Sequence, residues 1–326
     1  MLKENYRPVS ILSHISKIFE RLAFNQIEKY FESKFSKLLT GFRKNHGTQN
    51  ALIKMIELWK KALDEGNKVG AIFMDLSKAF DTLNHNLLLA KLNAYGFSNN
   101  SLLFIQSYLN NRYQRTNINN VFSSWLKIIS GVPQGSILGP LLFNIFINDL
   151  FYFIDNDYCH ICNYADDNSL YTIDKNAENI KTILAKNFKQ LTTWFYENFM
   201  VLNPEKCHFM CLGSKKDELN SIVLDNITLP ASHLETLLGI EIDDKLTFTK
   251  HIKTLCKKTG QKLNALARLS NFMNITQKQF LFNSFIKSQF NYCPLIWMFC
   301  TRTLNSKINS IHERALRITY NNCANS

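Results

Sequence analysis

Two aspartates stand side by side in Tyr164-Ala165-Asp166-Asp167, with apolar or β-forming runs on both flanks. Neighbouring anions repel and resist burial, so a cationic partner is their usual compensation. Upstream, Cys159 to Tyr164 is mostly apolar or aromatic, and downstream Ser169-Leu170-Tyr171-Thr172-Ile173 is rich in β formers. The pair reads as the tip of a hairpin, with a divalent metal as its natural guest. A further acid, Asp75, ends the buried-type strand Val69-Gly70-Ala71-Ile72-Phe73-Met74 and leads into Leu76-Ser77-Lys78-Ala79-Phe80-Asp81. If strand and hairpin lie side by side, three carboxylates meet. Such a cluster suits phosphoryl transfer, in which two Mg²⁺ ions about 3.5 to 4 Å apart activate an attacking hydroxyl and stabilise the leaving group. Asp75, Asp166 and Asp167 supply the hard oxygens that Mg²⁺ takes, leaving other positions to phosphate and water. The plainer alternative is a solvated turn pair beside an unrelated strand-end acid.

The order of the surrounding segments resembles the reverse transcriptase family, most closely the non-LTR retrotransposon polymerases of the jockey type. Asn5-Tyr6-Arg7-Pro8-Val9-Ser10 with Lys17-Ile18-Phe19-Glu20-Arg21 is similar to the first fingers motif, and Gly41-Phe42-Arg43-Lys44-Asn45-His46-Gly47-Thr48 to the second. Phe73 to Asp81 resembles palm motif A, Ser130-Gly131-Val132-Pro133-Gln134-Gly135-Ser136 motif B, and Tyr164 to Asp167 motif C. Leu202-Asn203-Pro204-Glu205-Lys206-Cys207 resembles motif D, and Leu237-Leu238-Gly239-Ile240 the primer-grip segment. Together, in the family's order, these matches are specific, whereas any one alone is weak.

The resemblance implies roles that are physically sensible. Asp75 and Asp166 would be the principal metal ligands, with Asp167 beside them, for two Mg²⁺ ions or Mn²⁺ in their place. Arg43 would grip the incoming triphosphate, because a guanidinium fork matches phosphate oxygens and keeps its charge; its plain reading is a surface salt bridge. Phe80 lies where the family places a steric gate under the sugar, which selects deoxynucleotides; otherwise it is a core Phe at a helix start. Gln134 would face the nascent base pair, and Gly135 would let the backbone approach nucleotide or template closely. Lys206 would donate a proton to the pyrophosphate, or else is an ordinary exposed lysine.

These residues need elements to carry them. The patterns predict helices at 15–32, 49–64, 85–94, 101–109, 137–150 and 177–198, and strands at 69–75, 125–129, 160–164, 169–173 and 208–212, which makes the class α+β. The resemblance implies a right-hand polymerase fold. Its fingers and palm would span 1–242 (fingers mainly 1–68 with part of 95–130, palm mainly 69–94 and 131–242), with a helical basic thumb and C-terminal segment at 243–326. No repeat, low-complexity tract or long linker interrupts the chain.

At 326 residues, 46% of them hydrophobic, the chain can bury sizeable cores. Its net charge of +12 is concentrated near the C-terminus, where no Asp or Glu occurs from Lys245 to His312 while eleven Lys and Arg do. There Ile252, Leu255, Thr259, Leu263, Leu266 and Ser270 repeat at helical spacing, and Lys250, Lys253, Lys257, Gln261, Asn264 and Arg268 follow a second stripe. One face can pack while the other tracks phosphates, giving salt-dependent binding; a merely solvated basic face is the alternative. Eight scattered Cys without a signal peptide point to a reducing intracellular compartment, cytoplasmic or nuclear, in which sequons at Asn226 and Asn274 carry no meaning. Cys159-His160-Ile161-Cys162 resembles half a zinc site, with Cys207 and Cys211 as its imagined remainder, but strand alternation would split the ligands between two faces. Ile137 to Ile154 has nearly the length of a membrane span, yet Asn144, Asn148 and Asp149 interrupt it, so a buried helix and no membrane partner are expected.

The expected function is an RNA-directed DNA polymerase acting on an RNA template, a DNA primer or target DNA, and dNTPs. An RNA-directed RNA polymerase is the nearer alternative, which Phe80 opposes. A truncated remnant that binds RNA without catalysis is the other, since Met1 directly precedes the first fingers motif.

Overall fold

A strand buried on both faces needs an uninterrupted apolar run, and Val69 to Met74 meets that condition. The computed structural model describes residues 9–76, 78–154, 157–213, 219–225 and 227–320. The readings on Asn5 to Pro8, Ser77 and Asn226 lie outside them. Strand β1 (Lys68–Asp75) is central in a six-stranded sheet of order β6-β7-β1-β8-β10-β9, with β6 (His160–Tyr164), β7 (Asp167–Asp174), β8 (His208–Leu212), β9 (Ser221–Leu224) and β10 (Ile227–Ser232). All neighbours are antiparallel except β8 and β10.

Each sheet face carries its own core. Ile72 and Met74 pack with α1 (His14–Phe31), α4 (His85–Ala94), α5 (Asn99–Leu109), α6 (Gly139–Ile147) and α7 (Ala177–Glu197). Val69, Ala71 and Phe73 face the other way, against α2 (Thr48–Asp64) and the C-terminal part of the chain. A short helix α3 (Ala79–Thr82) follows β1, and two small ribbons, β2 (Tyr113–Gln114) with β5 (Leu126–Lys127) and β3 (Asn117–Ile118) with β4 (Val121–Phe122), fill the stretch before α6. Beyond the sheet come the hairpin β11 (Leu234–Leu237) and β12 (Ile240–Asp243), then α8 (Thr249–Leu269), α9 (Ile275–Leu281), a π-helical segment Phe282–Lys287, α10 (Ser288–Phe290), α11 (Pro294–Trp297) and α12 (Arg302–Thr319).

The C-terminal helices are tied back to the β11–β12 turn and to the start of α2. Tyr292 Oη donates to the Leu238 carbonyl in the β11–β12 turn at 2.6 Å, Cys293 Sγ lies 3.5 Å from Thr48 Oγ1, and the Leu295 amide donates to Gln49 Oε1 at 3.4 Å. Leu238 itself has φ 48, which costs energy in a branched residue, and the tyrosine holds that turn in place.

Most helices match their expected spans closely. The 137–150 helix instead starts at Gly139 and gives way to a 3₁₀ turn at Leu150–Phe153. The 125–129 strand contracts to two residues because its partner is a two-residue strand. Among the described residues no helix is long and apolar enough to cross a membrane. Cys159 lies in the α-rich core on one side of the sheet while Cys162 packs on the opposite core, and the described cysteines form no disulfide. Burial pushes the Cys162 thiol up to about 12 and, with Asp75 nearby, Cys207 up to about 11.

Two expectations follow from this packing. A Cβ at Gly70 would lie 2.4 Å from Ile180 Cγ2 and 2.9 Å from Leu184 Cδ1, so Gly70→Val should lower unfolding free energy by ~1–3 kcal/mol or more in urea titration. Cys162 and Cys207 should stay unmodified by iodoacetamide at mildly alkaline pH in the folded chain and react once it is denatured, as peptide mass mapping would show, because their raised pKa values keep the thiolate scarce.

Candidate active site

The β1–β7 register sets Asp75 directly opposite Asp167, and β6 sets Tyr164 opposite Asp167 on its other side. Residues directly opposed across antiparallel strands share a face, so the two carboxylates project from the same side of the sheet as Phe73 and Ala71. Asp166 stands in the turn itself, after Ala165 at φ 58.

Two buried amides that the sequence reading did not single out shape that turn. Asn163 Nδ2 donates to the Ala165 carbonyl and to Asn168 Oδ1, both at 2.9 Å, and Asn168 Nδ2 donates to the Asp166 carbonyl at 3.1 Å. Their only sequence signal is an asparagine on each strand, in an apolar setting, two residues from the tip. From outside the hairpin, Gly41 presses on the same turn: a Cβ there would sit 2.4 Å from the Ala165 amide nitrogen, so only glycine allows the contact. Thr40 Oγ1 donates to the Asn163 carbonyl, and Asn144 Nδ2 of α6 donates to the Gly41 carbonyl at 2.7 Å.

A cation does stand at this anionic corner. Lys206 Nζ lies 2.7 Å from Asp75 Oδ2, with the lysine side chain 60% and the aspartate 29% exposed. The backbone fixes the approach, since the Asn203 amide donates to the Asp75 carbonyl at 3.1 Å and Leu76 bridges Leu202. Among the described residues no group of three His, Cys, Asp or Glu side chains converges as a metal site, so the three carboxylates expected to meet are not gathered on one point, and the Lys206 ammonium stands on one Asp75 oxygen. The donor set still fits Mg²⁺, which binds through one or two carboxylates at an open position and fills the rest with substrate phosphate and water.

Beside this corner, the segment of Gln134 is zipped onto α3. Val132 N donates to the Phe80 carbonyl, Gly131 N to the Leu83 carbonyl, and Gln134 Nε2 to Asp81 Oδ1 at 3.0 Å. Gly135 follows at φ 106, near the Ser10 carbonyl. Phe80 stacks on Phe143 at 4.4 Å and meets Phe42 edge-on at 5.8 Å, so its ring is packed on one face and half-buried overall. Glu20 is fully enclosed and accepts from the amides of Ile137 and Leu138 at 2.7 and 3.2 Å, capping α6, whose own N-cap residue makes no side-chain bond. The sequence shows Glu20 as one acid in the segment that resembles the first fingers motif, with no sign of this capping role.

Among the described residues Arg43 forms no salt bridge. Its Nη1 donates to the Ser36 and Leu39 carbonyls at 2.9 and 3.2 Å, and its guanidinium lies over Phe35. Burial lowers its pKa and Glu32 opposes the shift. On α8, Lys250, Lys253, Lys257 and Arg268 are exposed along one stripe, while Ile252, Leu255, Thr259, Leu263 and Leu266 are buried.

Residues 2–264 match the reverse transcriptase (RNA-dependent DNA polymerase) family. The chain is 27% identical to the probable RNA-directed DNA polymerase from transposon BS and to the RNA-directed DNA polymerase from mobile element jockey, both of Drosophila melanogaster. Each alignment covers 96% of this chain and about a third of the relative, 36% and 35%. Among solved structures, apo telomerase from Candida tropicalis superposes with a TM-score of 0.51 at 11% identity, over 94% of this chain and 50% of that one. The chain belongs to the reverse transcriptase family, and its mixed helix-and-sheet body is a right-hand polymerase fold.

Proposed function

We propose that this chain is the RNA-directed DNA polymerase of a non-LTR retrotransposon, extending a primer 3′ hydroxyl with dNTPs on an RNA template. The observation that carries the reading is the register that seats Asp75 against Asp167 at a partly open corner with a cation on it. Residues 1–242 would form fingers and palm, and 243–326 the thumb with the C-terminal helical segment.

Asp75 and Asp167, with Asp166 from the turn, would hold two Mg²⁺, or Mn²⁺ in their place. When bound, the pair supplies Lewis acidity to the primer hydroxyl and the triphosphate. The chain's own residues do the rest. Phe80, backed by Phe143, excludes a 2′ hydroxyl, and Gln134, oriented by Asp81, meets the nascent base pair beside Gly135. Arg43 has donors beyond Nη1 to offer the triphosphate. Lys206, whose ammonium lies beside Asp75, would hold a proton for the pyrophosphate. The α8 stripe of Lys250, Lys253, Lys257 and Arg268 tracks the backbone of the template and primer duplex.

The same ion pair supports a second reading, a chain that keeps the fold and binds RNA without synthesis, since Lys206 already occupies the cation's place on Asp75. Primer extension and RNA binding measured side by side separate the two: binding without extension selects the second.

Asp75→Asn and Asp166→Ala should each cut magnesium-dependent extension by more than ~100-fold, above what loss of a ligand's outer-shell partner costs, with RNA binding intact. Undiminished extension by either variant would remove that aspartate from the catalytic site, and a parent chain that extends no primer would refute the polymerase reading. Phe80→Val should raise NTP over dNTP incorporation by roughly 10- to 200-fold in single-nucleotide extension assays. An unchanged ratio would remove Phe80 from the gate.

A further inference from the structure

The ribbon between Tyr113 and Lys127 stands out from the body with its apolar side chains uncovered. Ile118, Val121 and Trp125 are 63%, 72% and 59% exposed. It is nonetheless a well-formed hairpin. Asn119 and Asn120 both take positive φ, the requirement of a tight two-residue turn, and Thr116 and Ser123 bond in both directions across it.

Cations are interleaved with these rings. The Arg115 guanidinium lies 4.1 Å from the Phe122 ring centroid and 4.7 Å from that of Trp125, and Arg112 lies 5.0 Å from Tyr108. Between Asp81 and Asp149 the sequence contains no acid at all. A flat cation held between two exposed aromatic rings, with no carboxylate in the tract, matches a ligand that is both anionic and flat. Unpaired nucleic acid has both properties, because its bases stack on aromatic rings and its phosphates pair with arginine.

The surface also leads somewhere. Gln114 and Lys127, at the base of the ribbon, line a cavity of about 310 Å³ together with Lys78, Gly131, Gln134 and Asp81, whose carboxylate is bonded to Gln134 Nε2. The ribbon is thus continuous with the loop proposed to face the nascent base pair. A second copy of the chain fits this face poorly, since a two-fold contact would set Arg112, Arg115 and Lys127 against themselves.

We propose that the Tyr113–Lys127 ribbon is a stacking platform for the unpaired part of a single-stranded RNA template on its way to the Ser130–Gln134 loop. The proposal rests on the RNA-templated reading above and names a surface outside the carboxylate corner. Trp125 and Phe122 take bases, and Arg115 bridges their rings to phosphate.

The molecule supplies its own probe. Of the four tryptophans, Trp59, Trp194 and Trp297 are buried at 0%, 1% and 5% exposure, so emission from solvent-exposed indole reports Trp125. Titrating the full chain with a short unstructured single-stranded RNA, without magnesium or dNTPs, should quench that emission, and the same sequence as a duplex should not. Trp125→Phe should abolish the quench and keep the affinity, because a stacking ring remains. The double variant R115A/W125A should weaken binding by roughly tenfold or more in fluorescence anisotropy. Both side chains are exposed, and circular dichroism checks that the fold is retained.

RNA that binds by anisotropy yet leaves Trp125 emission unchanged would overturn the platform. So would a change that follows protein concentration alone, which would reveal a second copy on this face. Because the titration needs no catalysis, a quenched chain that fails to extend primers would refute the polymerase and leave the platform standing.

Discussion

Like charges do not share a corner of a protein without help, and the β1–β7 register that sets Asp75 opposite Asp167, with Asp166 in the adjoining turn, is the constraint on which the rest of this site depends. Three separate parts of the sequence act on that corner. The Asn163 and Asn168 amides shape the turn from within, Gly41 bears on it from outside, and Lys206 arrives on a short turn bonded to the Asp75 backbone. Each is costly elsewhere, as a buried amide, a residue without a side chain or an immobilised lysine. Their convergence is explained by the charge they surround.

The parts of this arrangement that were legible in the sequence are those set by local pattern. An unbroken apolar run ending in Asp75 specified a doubly buried strand, and two β-rich segments around an acidic pair specified the hairpin. The six helices were visible as apolar periodicity and set the mixed class. The two stripes of α8 separated as expected into buried and exposed faces.

What was not legible depends on partners distant in the chain. Glu20 caps a helix more than a hundred residues away, which no local rule signals. Arg43 reads as a surface cation, but its contacts are the Ser36 and Leu39 carbonyls in the loop that follows α1. Strands β9, β11 and β12, of four residues each, are too short for alternation to register, and β10, though six residues long, joins the sheet through only two pairs with β8. The helix expected from Ile137 begins at Gly139, and the amides of Ile137 and Leu138 just before it are bonded to Glu20.

The contacts from Tyr292, Cys293 and Leu295 to Leu238, Thr48 and Gln49 give the C-terminal helices a mechanical property. They join the segment 292–295 to two separate parts of the body at once, the β11–β12 turn and the start of α2, so displacing that segment as a unit would break bonds at both places and leave the Leu238 backbone, unfavourable on its own, without its tyrosine.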